Sequence, residues 1–235
     1  MHGLMMEMPL LISELLRHAE RHHGDTEIVS KNVDGSLHRY GYRDAQARTR
    51  KLANALKKLG AQPSDRVATL AWNGFRHFEI YYAVAGSGMV IHTINPRLFA
   101  DQITYIANHA EDKFLFFDVN LAPLVAKLAP QLKTVKGFVA MCERGQMPKE
   151  AMPGALCYED LLKQESDSFD WPSFDENTAA CLCYTSGTTG NPKGALYSHR
   201  STMLHAYAAA LPDALNLSAC DVVLPVVPMF HVNAW

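Results

Sequence analysis

The run Thr185-Ser186-Gly187-Thr188-Thr189-Gly190-Asn191-Pro192-Lys193-Gly194 gathers hydroxyls, glycines, a proline and a lysine directly behind the apolar pattern of residues 179–184. That mixture suits an anion cradle. Glycine lets the backbone turn tightly and bring its N–H groups against phosphate oxygens. Thr185, Ser186, Thr188 and Thr189 add hydroxyl donors, and Lys193 supplies a mobile positive charge. A polyphosphate such as that of MgATP would be gripped mainly at its β and γ phosphates. A plain Ser/Thr/Gly surface loop is the simpler explanation, but it requires neither this density of donors nor a buried strand in front of it.

Two other phosphate motifs fail. A Walker loop needs Gly, four residues, then Gly-Lys-Ser/Thr; here Gly187 and Gly190 are too close, and Lys193 precedes Gly194. A dinucleotide fingerprint at Gly86-Ser87-Gly88 lacks its third glycine, because Ile91 stands there, and it follows a helical pattern, so it is a helix stop. His18 and His22 share a helical face, but Glu20 is misplaced for a zinc helix and Gly24 follows at once, so a solvated helix end is expected and no metal ligands are assigned.

The surrounding pattern alternates helix and strand. Helices are expected over residues 9–23, 42–59, 75–85, 99–109 and 121–129, and strands over 66–70, 89–94, 113–117, 137–141 and 179–184. Gly60 caps the second helix, and Ser198 suits the N-cap of another helix. Residues 142–153 and 164–177 are polar, proline-containing surface loops. Apolar strands alternating with helices predict an α/β protein with layered helices and a largely parallel sheet. The division expected is an N-terminal α/β subdomain over 1–177 and the start of a second over 178–235.

Composition narrows the function classes. With 48% hydrophobic and 20% charged residues and a net charge of −2, no basic tract points to nucleic acid. The first residues lack a signal peptide's positive n-region, and no apolar run is long enough to span a bilayer, so a cytoplasmic protein is expected. Five cysteines form neither a disulfide framework nor a zinc motif; Cys181 and Cys183 are expected as reduced thiols on one strand face. Oligomeric state is not legible, and a homo-oligomer is compatible with the sequence.

The stretch Leu182–Lys193 resembles the signature loop of the adenylate-forming superfamily, which includes acyl-CoA synthetases, luciferases and peptide-synthetase adenylation domains. Pro228-Met229-Phe230-His231-Val232-Asn233-Ala234-Trp235 is similar to the next motif of that superfamily, in the form found in fatty-acyl-CoA synthetases. The flanks Tyr197–Arg200 and Val223–Pro228 look like the same branch, and Asn73 and the stretch Gly88–Pro96, ending Asn95-Pro96, are similar to weaker landmarks. The resemblance implies the N-terminal part of an adenylate-forming large domain. It implies a carboxylic acid, ATP with Mg²⁺, and CoA as reactants: acyl-adenylate and pyrophosphate form first, then acyl-CoA and AMP. It places His231 beside the acyl carboxylate as a catalytic residue, with Val232, Asn233 and Trp235 at the acyl pocket; the plainer roles are a core histidine and core packing. Ligation of a short or thioether-bearing acid, or a non-catalytic nucleotide-binding relative, stays open.

Several parts of that superfamily's pattern are missing. There is no Tyr-Gly-x-Thr-Glu motif for Mg²⁺, since Thr26-Glu27 lacks its context, no Thr-Gly-Asp ribose motif and no mobile C-terminal domain. The apolar run of residues 221–235 reads as a buried strand with nothing after it. The chain is therefore expected to be inactive alone and to self-associate through uncovered apolar surface. ATP–pyrophosphate exchange and light scattering check this: turnover by the 235-residue chain, or a clean monomer over a broad concentration range, contradicts it.

Overall fold

A computed structural model describes residues 1–148, 150, 152–185 and 191–231. Its centre is a seven-stranded sheet. The strands are β3 (Arg66–Leu70), β4 (Val90–Ile94), β5 (Phe114–Phe117), β6 (Gly137–Ala140), β7 (Leu156–Cys157), β8 (Ala179–Thr185) and β9 (Lys193–Ser198), in the spatial order β7-β6-β5-β3-β4-β8-β9. All pairings are parallel except β8–β9. The sheet thus continues across residue 177.

Helices cover both faces, which is why the strands read as unbroken apolar runs. On one face lie α1 (Ile12–His23), α2 (Tyr42–Lys58), α3 (Phe75–Gly86) and α6 (Tyr158–Lys163), where Ile12, Leu52, Leu56, Ile80 and Tyr158 pack on Val67, Ile91 and Phe116. On the other, α4 (Ala100–His109) and α5 (Ala122–Leu128) bring Ile103, Ile106, Val125 and Leu128 onto Leu70, Ile94, Leu115 and Phe117. Each of these large apolar side chains contributes roughly 1.5–3 kcal/mol by burial.

Local chemistry sets the helix ends. The Asp44 carboxylate accepts from Gly41 N–H ahead of α2, and Gly60 and Gly88 take positive φ where α2 and α3 stop. Helix α7 (His199–Ala210) begins as expected at Ser198: Ser198 Oγ accepts from Ser201 N–H, and Ser201 Oγ accepts from Ser198 N–H, each at 3.0 Å. Buried His199 accepts Ile12 N–H at Nδ1, and Glu176 accepts Leu10 N–H, so the start of α7 fastens the start of α1.

Four sequence expectations need correction. A hairpin of β1 (Glu27–Lys31) and β2 (Leu37–Gly41) was not expected, because its strands carry few apolar residues; its signal was Asp34-Gly35, with Gly35 at φ 87°. Strand β7 and α6 are too short for periodicity to reveal. Between the glycine-rich loop and α7 the chain forms β9, a strand not expected from the sequence. Finally, the described part of the terminal run, residues 221–231, forms no strand, and Val222, Leu224 and Val226 are exposed. Pro225 and Pro228 lack the N–H groups a ladder requires. The loop of residues 164–177 is irregular as expected, yet pinned: Asn54 Nδ2 donates to Ser166 O and Ser168 O, and Arg50 Nε to Asp167 O. Cys142, Cys157, Cys181 and Cys183 are buried free thiols, and Cys220 is exposed.

The largest electrostatic constraint lies between α2, α3 and α6. Arg48 Nε donates to Glu79 at 2.7 Å and its other nitrogens reach Glu159 at 3.0 Å; Arg76 Nε also donates to Glu159, at 2.7 Å. Tyr158 O–H completes the shell of Glu79 at 2.7 Å. Burial pushes the Glu79 carboxyl up, and Arg48 and Tyr158 oppose that shift. Truncating one partner of such a pair leaves an uncompensated charge. Arg48→Ala should therefore cost about 3–5 kcal/mol in urea unfolding of the full-length protein, and Arg48→Leu with Glu79→Leu should recover most of it. A loss below about 1 kcal/mol for the single variant would mean that Glu79 is satisfied without Arg48.

Candidate active site at the carboxyl edge of the sheet

Ligands of open parallel sheets bind beyond the carboxyl ends of the strands. Three neighbouring strands end here in polar residues: β3 in Trp72-Asn73, β4 in Asn95-Pro96-Arg97 and β8 in Thr185.

Strand β8 runs with Ala180–Cys183 buried and emerges at exposed Thr185. The chain returns as β9, which pairs antiparallel so that Thr185 faces Lys193, with Thr185 Oγ1 3.5 Å from Lys193 O. Of the expected phosphate ligands, Thr185 and Lys193 are thus brought together. Lys193 is exposed and has no ion-pair partner among the described residues. The other expected ligands Ser186, Gly187, Thr188, Thr189 and Gly190 lie outside the described residues, as do Val232, Asn233 and Trp235 of the expected acyl pocket. At the base of the loop, Tyr184 Oη shares a hydrogen bond of 2.6 Å with His109 Nδ1, and burial pushes the phenol up to about 12. Behind it, His92 and Asp112 form a buried pair at 2.8 Å.

His231 is exposed, not a core histidine, and its N–H donates to Pro228 O. The residues before it are tied to the sheet edge. Thr93 Oγ1 donates to Phe230 O at 3.2 Å, and Asn73 Oδ1 accepts Met229 N–H at 2.7 Å. Phe230 meets Trp72 edge-on with centroids 5.9 Å apart, and the Arg97 guanidinium lies 5.6 and 5.8 Å from the two rings. Because Thr93 pairs with Cys183, this attachment is one strand across from the residues that lead into the glycine-rich loop.

Trp72 is held from both sides. Asp118 accepts its N–H at 2.7 Å, and its carbonyl accepts from His77 Nδ1 at 3.0 Å. A carbonyl can only accept, so Nδ1 carries the proton and Nε2 accepts from Thr69 O–H at 2.9 Å. Burial pushes Asp118 up to about 6 and His77 down to about 4. Sequence reasoning missed Trp72, Arg97 and Asp118, and it marked Thr93 only as part of the Gly88–Pro96 landmark; the available signal was their position immediately at or after the ends of apolar strands. Among the described residues no group of histidine, cysteine, aspartate and glutamate is arranged to hold a metal, and no helix is long and apolar enough to cross a membrane.

The profile of the AMP-binding enzyme family matches residues 15–235. A medium-chain-fatty-acid–CoA ligase of Ectopseudomonas oleovorans is 56% identical over the whole chain, which spans 43% of that protein. A 3-methylmercaptopropionyl-CoA ligase of Ruegeria lacuscaerulensis is likewise 56% identical over the whole chain, which spans 44% of it. The fold matches a crystal structure of a long-chain-fatty-acid-CoA ligase from Archaeoglobus fulgidus with a TM-score of 0.79 at 20% identity, over 96% of this chain and 43% of that one.

His77 makes the site's support sensitive to pH. Its folded pKa is depressed, so the neutral form is favoured by folding. The stability it contributes is intact above about pH 6.5 and is lost as pH falls toward about 4. Asp118 has the opposite sign, since its raised pKa penalises folding as pH rises through about 6. The difference between variants separates them: between pH 6.5 and 4, His77→Asn should flatten the fall of unfolding free energy by up to about 1.4 kcal/mol per pH unit. Parallel pH curves for the two proteins would contradict a buried neutral His77.

Proposed function

The chain belongs to the AMP-binding enzyme family, and on that premise we propose that the full-length protein ligates a carboxylic acid to CoA in two steps. The acid's carboxylate attacks the α-phosphorus of ATP, giving acyl-adenylate and pyrophosphate. The CoA thiol then attacks the acyl carbon, giving acyl-CoA and AMP. The observation that carries this reading is the β8–β9 hairpin, which sets Thr185 against exposed Lys193 at the carboxyl edge of a parallel sheet.

In this reading Lys193 and Thr185, with Ser186, Gly187, Thr188, Thr189 and Gly190, hold the β and γ phosphates and stabilise charge on the departing pyrophosphate. His231 stands beside the acyl carboxylate, and Val232, Asn233 and Trp235 line the mouth of the acyl pocket. A cation facing a hydroxyl fits a polyphosphate, whereas the described residues offer no carboxylate cluster for Mg²⁺, so the ion would enter with ATP. Residues 178–235 are proposed to open the second subdomain, with β8 and β9 as its seam with the first. The protein is placed in the cytoplasm. Exposed Leu204, Tyr207, Leu211 and Leu215 support burial of this surface by further chain or by a second copy.

The matched proteins suggest two acid classes at equal identity, a medium-chain fatty acid and a short thioether acid. ATP–pyrophosphate exchange by the full-length protein with a panel of both ranks them. Lys193→Ala should lower the exchange rate by about 10²-fold, the scale of removing one preorganised transition-state donor. No exchange with any acid would favour a non-catalytic nucleotide-binding relative.

A further inference from the structure

We infer that Asn73 is a positioning residue for carboxylate recognition, acting through the backbone of residues 225–231 to set the place of His231. The inference rests on the acyl-ligase reading above. Residues 225–231 pair with no strand among the described residues, Pro225 and Pro228 interrupt the donors, and beyond the Thr93 bond to Phe230 O the backbone needs a further hold. Asn73 supplies what is missing. Its Nδ2 donates to Pro225 O at 3.3 Å and Val227 O at 3.1 Å, while Oδ1 accepts Met229 N–H at 2.7 Å. A carboxamide has both donors and an acceptor at one planar end, whereas a carboxylate would keep the Met229 bond and turn both carbonyl contacts repulsive.

Asn73 is itself well anchored, because the preceding residue, Trp72, is bonded through its N–H to Asp118 and through its carbonyl to His77. The clamped residues then bury their side chains, Met229 to 6% and Phe230 to 4% exposure, while His231 next to them stays exposed. Upstream, Val222, Leu224 and Val226 contribute little packing. The clamp therefore fixes where residues 229–231 sit, with Met229 and Phe230 seated in the core and His231 directed outward beside them.

The test uses the full-length protein with Asn73→Ala and the nearly isosteric Asn73→Asp, which keeps the acceptor and folds if the smaller side chain does not. Amide hydrogen exchange at Met229 and steady-state exchange kinetics are read together. The expected result is Met229 exchange at least about tenfold faster in Asn73→Ala. In both variants kcat/KM for the acid should fall by at least about tenfold, with KM for ATP within about twofold of wild type, since small misplacements at a reacting group act on the step that needs alignment. Equal losses for acid and ATP, or faster Met229 exchange with unchanged acid kinetics, would overturn the positioning role. Unchanged Met229 exchange in Asn73→Ala would overturn the clamp. A wild-type protein with no acid-dependent exchange would instead overturn the acyl-ligase reading and leave the amide measurement to judge the clamp alone.

Discussion

Strand β4 is hydrogen-bonded in parallel to β3 on one side and to β8 on the other, with Thr93 as register partner of both Thr69 and Cys183. Parallel pairing makes all three strands end at the same edge. The three polar strand ends, Trp72-Asn73, Asn95-Pro96-Arg97 and Thr185, therefore converge without further design. Antiparallel β9 then brings Lys193 back to that edge.

Around this frame the polar groups divide into two kinds. Arg48, Arg76, Glu79, Glu159 and Tyr158 form a closed set that ties α2, α3 and α6 together. Burying such charges is costly, and its return is a fixed arrangement more than added stability. The second kind is open: Lys193, Thr185 and His231 are exposed at the sheet edge, and their backbones are held by the β8–β9 pairing and by the bond of His231 N–H to Pro228 O. In the reading proposed above, a polyphosphate and an acid meet the free groups while the buried set keeps the supports rigid.

Trp72 links them. Asp118 and His77 hold its backbone, its ring meets Phe230, and Asn73 follows it directly. The path from the buried core to exposed His231 thus runs through short side-chain bonds to backbone, which constrain direction more tightly than apolar contact does.

The sequence by itself determined the α/β alternation, most element positions and the density of hydroxyls and glycines in residues 185–194, because apolar periodicity and composition are local properties of the chain. It marked Asn73 and Asn95 as landmarks but assigned them no task. Only the tertiary structure decided that Asn73 reaches Pro225, Val227 and Met229, that Thr93 holds Phe230, and that residues 221–231 lie outside the sheet. Those bonds join residues more than a hundred positions apart, and no periodicity records them. The hairpin β1–β2 and the return strand β9 were missed for a related reason: both lie at or beyond the sheet's margins, where a strand needs a partner more than an apolar pattern.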